Sequence, residues 1–195
     1  MGGSNSMTIL LNFLGAPGVG KTSLSVSVFS YLKARDFSAE FSPEYVKKWS
    51  WEKRNISPFD QLYIFGKECH NQSSLFNKVE FLIADSPVML TAFYQYFYNK
   101  KNTLSIPCHD FYDTAIKENK VEVINFFLPR MRDYNPAGRY QTQEESDCAA
   151  ELLKAWLNIE GYEYTVLSCN DEDRLKEVIK AIEKYMVDDR KESDN

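Results

Sequence analysis

Gly15-Ala16-Pro17-Gly18-Val19-Gly20-Lys21-Thr22 sets two glycines, a lysine and a hydroxyl at the offsets G-x-x-x-x-G-K-[ST]. Each residue type meets a need of polyphosphate chemistry. Backbone N–H groups can crowd around phosphate oxygens only where no side chain blocks them, which calls for glycine. A helix opening at Lys21 would add its unpaired N-terminal N–H groups and the positive end of its dipole. Lys21 can place a mobile charge on the β- and γ-phosphates, and the Thr22 hydroxyl can face Mg²⁺. The stretch from Gly15 to Ser23 is therefore the expected nucleoside-triphosphate segment, with ATP and Mg²⁺ as its cofactors.

Three further groups could complete such a site. Phe81-Leu82-Ile83-Ala84-Asp85 is an apolar run ending in an acid, and an acid at the end of a neighbouring strand can hold Mg²⁺ beside Thr22. Glu44 falls just past a second expected strand, where the crevice of a parallel sheet should lie. A carboxylate there can orient an acceptor hydroxyl or take its proton. Tyr45, Trp49 and Trp51 stand next to it and could stack on a flat base, although core packing explains such rings equally well. Arg130, Arg132 and Arg139 share one glycine-bearing connection. Guanidinium groups on a mobile loop can neutralise a phosphoryl group in transit, and Arg139 is placed to cover the base of the donor.

The elements needed to position these groups are readable from periodicity. Strands are expected over Ile9–Leu14, Ala39–Pro43, Phe81–Asp85, Val121–Leu128 and Tyr164–Leu167. Helices follow the glycine loop (Leu24, Val28, Phe29, Leu32), part of residues 44–54, and Ser57-Pro58, a serine cap with proline in the first turn. On that third helix Leu62, Phe65 and Cys69, then Leu75 and Phe76, read as the apolar face. An aromatic helix over 88–98 carries Leu90, Phe93, Tyr94 and Phe97 as core or pocket wall. Others span about 111–117, about 143–158 (Cys148, Leu152, Ala155 and Trp156 inward) and a closing helix with Leu175, Val178, Ile179, Ile182 and Met186. Alternation of strand and helix predicts an α/β three-layer sandwich, a five-stranded parallel sheet with helices on both faces. One domain over 8–187 is expected, with an arginine-bearing lid at about 129–142, a flexible leader over 1–7 and a flexible tail over 188–195.

Composition narrows the setting. A chain of 195 residues suits one such domain with a full core. No apolar run reaches the ~18 residues of a membrane span, and the N-terminus has no signal-peptide pattern, so no membrane partner and a cytoplasmic setting are expected. Cys69, Cys108, Cys148 and Cys169 are scattered and read as buried reduced thiols. The Cys108-His109 neighbours are read as structural. A net charge of −5 argues against a surface that grips duplex DNA nonspecifically, without excluding a local basic groove.

The order of phosphate loop, Ser42-Pro43-Glu44-Tyr45-Val46-Lys47-Lys48-Trp49, Asp85-Ser86-Pro87 and arginine lid resembles the nucleoside and nucleotide kinase branch of P-loop proteins. The Pro-Glu-x-Val-x-x-Trp portion is similar to deoxyribonucleoside kinases, which implies Glu44 as catalytic base; Tyr45 and Trp49 beside it are the expected substrate contacts. The lid resembles that of thymidylate kinases. The compact form and Asp-Ser-Pro are most similar to phage-encoded P-loop kinases, a group that includes kinases of 5-hydroxymethyluracil in DNA; the host cytoplasm would then be the setting. Ser86 departs from the arginine that deoxyribonucleoside kinases carry after this acid. A phosphate-bearing acceptor would need a basic pocket, for which Lys47, Lys48, Lys53 and Arg54 are the candidates. The resemblance implies a Mg-ATP-dependent phosphotransferase, with Lys21, Glu44, Arg130 and Arg132 catalytic. Its acceptor is a nucleoside, a nucleoside monophosphate or a hydroxymethylated base in DNA, and a homodimer stays open. The rival class is a switch that hydrolyses ATP or GTP with no acceptor. No Asn-Lys-x-Asp guanine signature is present, which favours ATP, and the short chain without an obvious sensor or second domain sets an AAA motor aside.

Overall fold

The computed structural model of the protein describes residues 7–131, 135, 137 and 140–186. Residues 1–6 of the expected leader and the whole expected tail lie outside the described residues. So do the expected lid residues Arg132 and Arg139.

Five strands form one parallel sheet: β1 (Ile9–Leu14), β2 (Ala39–Ser42), β3 (Phe81–Ala84), β4 (Glu122–Phe127) and β5 (Thr165–Val166), in the order β2-β3-β1-β4-β5. β1 is central and buried along its whole length, pairing Ile9 with Phe81 on one side and with Glu122 on the other. Alternation along β1 then divides the core in two. Leu10 and Leu14 join α4 (Val88–Asn99), α5 (Ser105–Lys117) and α6 (Gln143–Ile159) through Phe93, Tyr112 and Trp156. Ile9, Leu11 and Phe13 face α1 (Lys21–Lys33) and α7 (Asp171–Ile182) through Val28, Leu32, Val178 and Ile182. The expected three-layer sandwich is the observed one. Among the described residues no helix is long and apolar enough to cross a membrane.

Two capping boxes fix the helices that border the site. At α3 (Pro58–Ser73) the Ser57 hydroxyl accepts the Asp60 N–H, and the Asp60 carboxylate accepts the Ser57 N–H at 2.8 Å. Thr142 and Glu145 make the same exchange at α6, with the Thr142 N–H donating to Glu145 at 2.9 Å. The short helix α2 (Lys47–Trp51) occupies only part of the segment expected to be helical.

Several expectations need correction. β5 is two residues long rather than four, because it pairs on one side only and both of its residues are exposed. α5 starts at Ser105, well before residue 111, since Pro107 falls in its first turn where proline costs no hydrogen bond. On α6 the inward residues are Ser146, Ala149, Leu153, Trp156 and Leu157, with Cys148 and Ala155 exposed. Small side chains exert little pull toward the core, whereas the Ser146 hydroxyl is tied to buried partners. Cys148 and Cys169 are therefore not buried, while Cys108 is, and Cys69 is partly so. On α3, Leu62 is 58% exposed, and the buried stripe is Gln61, Ile64, Glu68 and Gln72. That stripe has helical spacing but is mostly polar: Gln61 and Ile64 line the larger cavity of the site, while Glu68 and Gln72 are buried behind it.

Candidate functional site

The glycine loop crosses from β1 to α1 under tight steric limits. Gly20 caps α1 with φ +94°, a left-handed conformation that glycine adopts without strain. Gly15 has φ +145°, and a Cβ there would stand 2.8 Å from the Leu128 carbonyl oxygen and 3.0 Å from Val19 Cγ2. Gly15→Ala should therefore displace the loop, costing about 1–3 kcal/mol and most nucleotide affinity. Calorimetric titration with ATP, together with thermal melting, would read this; wild-type affinity would show that the close approach is dispensable.

Lys21 donates to the carbonyls of Gly15 at 2.8 Å and Ala16 at 3.0 Å. The Thr22 hydroxyl donates to Asp85 Oδ2 at 2.6 Å, so the two expected metal ligands are in contact. Asp85 is buried, and its Oδ1 has no hydrogen-bond partner among the described residues. A hydroxyl beside a carboxylate with a spare oxygen is a donor set that suits Mg²⁺.

Two cavities adjoin here. One, of about 210 Å³, is lined by Gly18, Gly20, Lys21, Thr22 and Ser23 together with Glu44 and Lys47. The other, of about 400 Å³, shares Lys21, Glu44 and Lys47 with it and extends between α2, α3, α4 and the 140–145 segment. Its wall carries four carboxamides, Asn55, Gln61, Asn99 and Gln141, and three phenols, Tyr94, Tyr98 and Tyr140. Tyr140 donates to the Arg54 carbonyl at 2.8 Å, and Gln141 donates to the Tyr98 hydroxyl, so the end of the expected lid closes one side.

Tyr45 and Trp49 do not line either cavity. Trp49 is buried between Arg54, 3.6 Å above its ring, and Tyr63, stacked at 6.3 Å. Tyr45 shares a hydrogen bond of 2.8 Å with the Tyr63 hydroxyl. Both rings thus join α2 to α3, and the exposed Trp51 stands apart from them. Of the candidate cations for a basic pocket, only Lys47 reaches the cavity wall. Lys48 pairs with Glu52 at 3.8 Å, and Arg54 pairs with Asp60 at 3.3 Å. Ser86, at the position of the missing arginine, lines the larger cavity. Arg130 lines neither; its Nε donates to Asp147 at 2.7 Å and its Nη2 to Ser146, whose hydroxyl donates to the Pro17 carbonyl at 2.9 Å. Cys108 is buried, its thiol pushed up to about 12 by burial, which keeps it unreactive. His109 bonds to Glu160 at 3.1 Å and stacks on Tyr162, as a structural pair would.

Two residues near the site give no usable signal in the sequence. Arg174, only 1% exposed, donates to the carbonyls of Ser168 at 2.7 Å, Val19 at 3.0 Å and Pro129. It joins the phosphate loop, the root of the lid and the β5–α7 connection. Glu68 is likewise 1% exposed and accepts the Tyr45 N–H at 3.1 Å. Burial pushes its carboxyl up to about 8; the Tyr45 N–H opposes this, and the charges of Glu44 and Asp85 add to it. A carboxyl raised above its unfolded value stabilises the fold below the unfolded pKa, and that contribution is lost as pH rises through about 8. Glu68→Gln cannot ionise, so its melting temperature should gain on wild type by several degrees between pH 5 and pH 9. Parallel melting curves across that range would refute the buried acid.

A protein-family profile described as an AAA domain matches residues 10–174. The chain belongs to the AAA domain family. The match gives the family and does not test the expectation against an AAA motor, which rested on a short chain without an obvious sensor or second domain. No curated protein matches the sequence. Among solved structures, NadR protein in complex with NR superposes with TM-score 0.68 at 16% identity, over 93% of this chain and 52% of that one. The chain thus spans about half the length of NadR. Deoxyadenosine kinase from M. mycoides with bound dATP superposes with TM-score 0.57 at 16% identity, over 91% of this chain and 99% of that one. Thymidylate kinase from Ehrlichia chaffeensis gives 0.58 at 16%, over 92% and 99%. At these identities the likeness is one of fold, the P-loop NTPase and kinase fold.

Proposed function

We propose that this AAA-family chain is a Mg-ATP-dependent phosphotransferase of the nucleotide-kinase type, moving the γ-phosphate to a hydroxyl of a nucleoside-like acceptor. One observation carries the reading: the phosphate-loop cavity adjoins a second cavity, and Lys21, Glu44 and Lys47 line both. A hydrolytic switch needs a positioned water and no second chamber. A cavity of about 400 Å³ with carboxamides and phenols on its wall suits one flat, polar, hydrogen-bonding molecule.

In this reading the loop amides and Lys21 hold the donor's β- and γ-phosphates. Thr22 and Asp85 would hold Mg²⁺, which supplies charge neutralisation between those phosphates. The acceptor oxygen forms a bond to the γ-phosphorus as the bond to the bridging oxygen breaks, and ADP leaves. The hydroxyl proton passes to the Glu44 carboxylate. Arg130, held beside the loop through Ser146, would have to leave its pair with Asp147 to stabilise the transferring group. Arg132 and Arg139 are proposed for the same segment on sequence grounds.

Charge favours a hydroxyl acceptor over a monophosphate. The larger cavity's described wall carries Lys21 and Lys47 against Glu44, Asp85 and Glu145. With Lys21 committed to the donor, one cation remains among the described wall residues for a dianionic acceptor. The hydroxyl can belong to a free nucleoside or to a hydroxymethylated base within DNA, such as 5-hydroxymethyluracil. Incubation with γ-labelled ATP and a panel of nucleosides, monophosphates and hydroxymethyluracil DNA tests the reading. Label should move to a hydroxyl-bearing acceptor. Label found only in free phosphate would favour the acceptor-free ATPase, and label on monophosphates would favour a nucleoside monophosphate kinase.

A further inference from the structure

We propose that Glu68 is a positioning residue for phosphoryl transfer, holding the turn between β2 and α2 from beneath so that Glu44 faces the junction of the two cavities. The proposal rests on the acceptor role given to Glu44 above.

The turn is anchored at both ends. At its start the Asp85 N–H donates to the Ser42 carbonyl at 3.1 Å, joining the tips of β2 and β3. At its end Trp49 is clamped between Arg54 and Tyr63. Between these anchors lies the peptide that joins Glu44 to Tyr45. Its N–H donates to Glu68 Oε1 at 3.1 Å, across 23 residues of sequence. That bond fixes the peptide that leaves the Glu44 Cα, and so holds the backbone from which the carboxylate projects.

A carboxyl is a costly choice for that task. Buried among α3, β2 and β3, it loses hydration, and an apolar residue of similar size would serve stability better. Around it several buried polar atoms lack a protein partner. Glu68 Oε2, Ser42 Oγ, Gln72 Oε1 and Asp85 Oδ1 are all buried without a hydrogen-bond partner among the described residues. Ser42 and Asp85 close two adjacent strands, while Glu68 and Gln72 are one turn apart on α3. Departures from the stable choice concentrate where function demands them. A purely structural Glu68 would fasten α3 to the sheet with no preference for the peptide beside Glu44.

The experiment is a double-mutant cycle on the full chain, using γ-labelled ATP and an equimolar mixture of the four deoxynucleosides, with label in products and in free phosphate both counted. Glu68→Gln keeps an acceptor for the Tyr45 N–H and adds donors to the patch, so kcat should stay within about threefold of wild type. Glu68→Leu frees the turn and should lower kcat about thirty- to a hundredfold, with KM for ATP within about twofold. In the Glu44→Gln background, Glu68→Leu should cost nothing further. Exchange of the Tyr45 amide hydrogen, a readout independent of turnover, should quicken at least about tenfold in Glu68→Leu and not in Glu68→Gln. Unchanged Tyr45 exchange in Glu68→Leu, or losses that multiply in the double variant, would overturn the proposal. Wild-type turnover in Glu44→Gln alone would instead sink the acceptor role of Glu44, a separate failure.

Discussion

Glu44→Gln should slow phosphoryl transfer to a hydroxyl by about a hundredfold or more, while ATP binding barely changes. The substitution preserves shape and most hydrogen bonding and removes charge and basicity. Glu44 lines both cavities, whereas the contacts within the phosphate loop come from Lys21 and the loop's own backbone. The effect should therefore appear in kcat and leave the ATP dissociation constant near wild type. The acceptor decides how large the loss is. A phosphate acceptor has no proton to give up and would lose little; a hydroxyl acceptor loses the group that takes its proton. Acceptor phosphorylation and free-phosphate release, measured side by side, separate these cases. Transfer to a hydroxyl at an undiminished rate would remove the base from the mechanism, and undiminished hydrolysis as the main activity would leave an acceptor-free ATPase.

The parts of this site written in local chemistry are legible in the sequence. The glycine loop is constrained by sterics that leave few residue choices, and Gly15, with a carbonyl 2.8 Å from its missing Cβ, shows why. β1 is buried end to end, so a run that is apolar except for Asn12 marks both its boundaries. Ser57-Pro58 announces α3 because capping is a contact between neighbours in sequence. The contact of Thr22 with Asp85 follows from parallel topology, which brings the loop after β1 beside the tip of β3.

What stayed hidden depends on which way a helix faces. The apolar residues of α3 point to one face, yet its buried stripe is Gln61, Ile64, Glu68 and Gln72. A polar stripe with helical spacing signals a helix that borders a site, and periodicity restricted to apolar residues misses it. Tyr45 and Trp49 follow Glu44 closely in the chain, but neighbours on a turn and short helix diverge. The chain therefore sends Glu44 and Lys47 to the cavities and the two rings to α3. Arg174 is legible only in three dimensions, since its carbonyl partners lie 6, 45 and 155 residues away.

Lys21→Met should abolish both transfer and hydrolysis, lowering turnover by about a thousandfold or more. Loss of both activities is what separates it from Glu44→Gln. Methionine keeps most of the apolar stem and removes the charge, so the test isolates the ammonium. In the structure that ammonium bridges the Gly15 and Ala16 carbonyls and stands at the mouth shared by the two cavities. A charge held on a flexible stem at that junction can follow the γ-phosphate as it moves toward the acceptor. Its contribution should therefore grow toward the transition state, and the loss in kcat should exceed the loss in ATP affinity. The fold should survive, because α1 and β1 are held by buried Leu24, Val28 and Leu32 and by the sheet, not by a partly exposed lysine. A change in melting temperature of no more than about 5 °C is expected. The decisive comparison is single-turnover chemistry at saturating ATP, where binding differences vanish. Wild-type chemistry there would show that the glycine loop holds something other than a reacting triphosphate, and the acceptor cavity would need another donor.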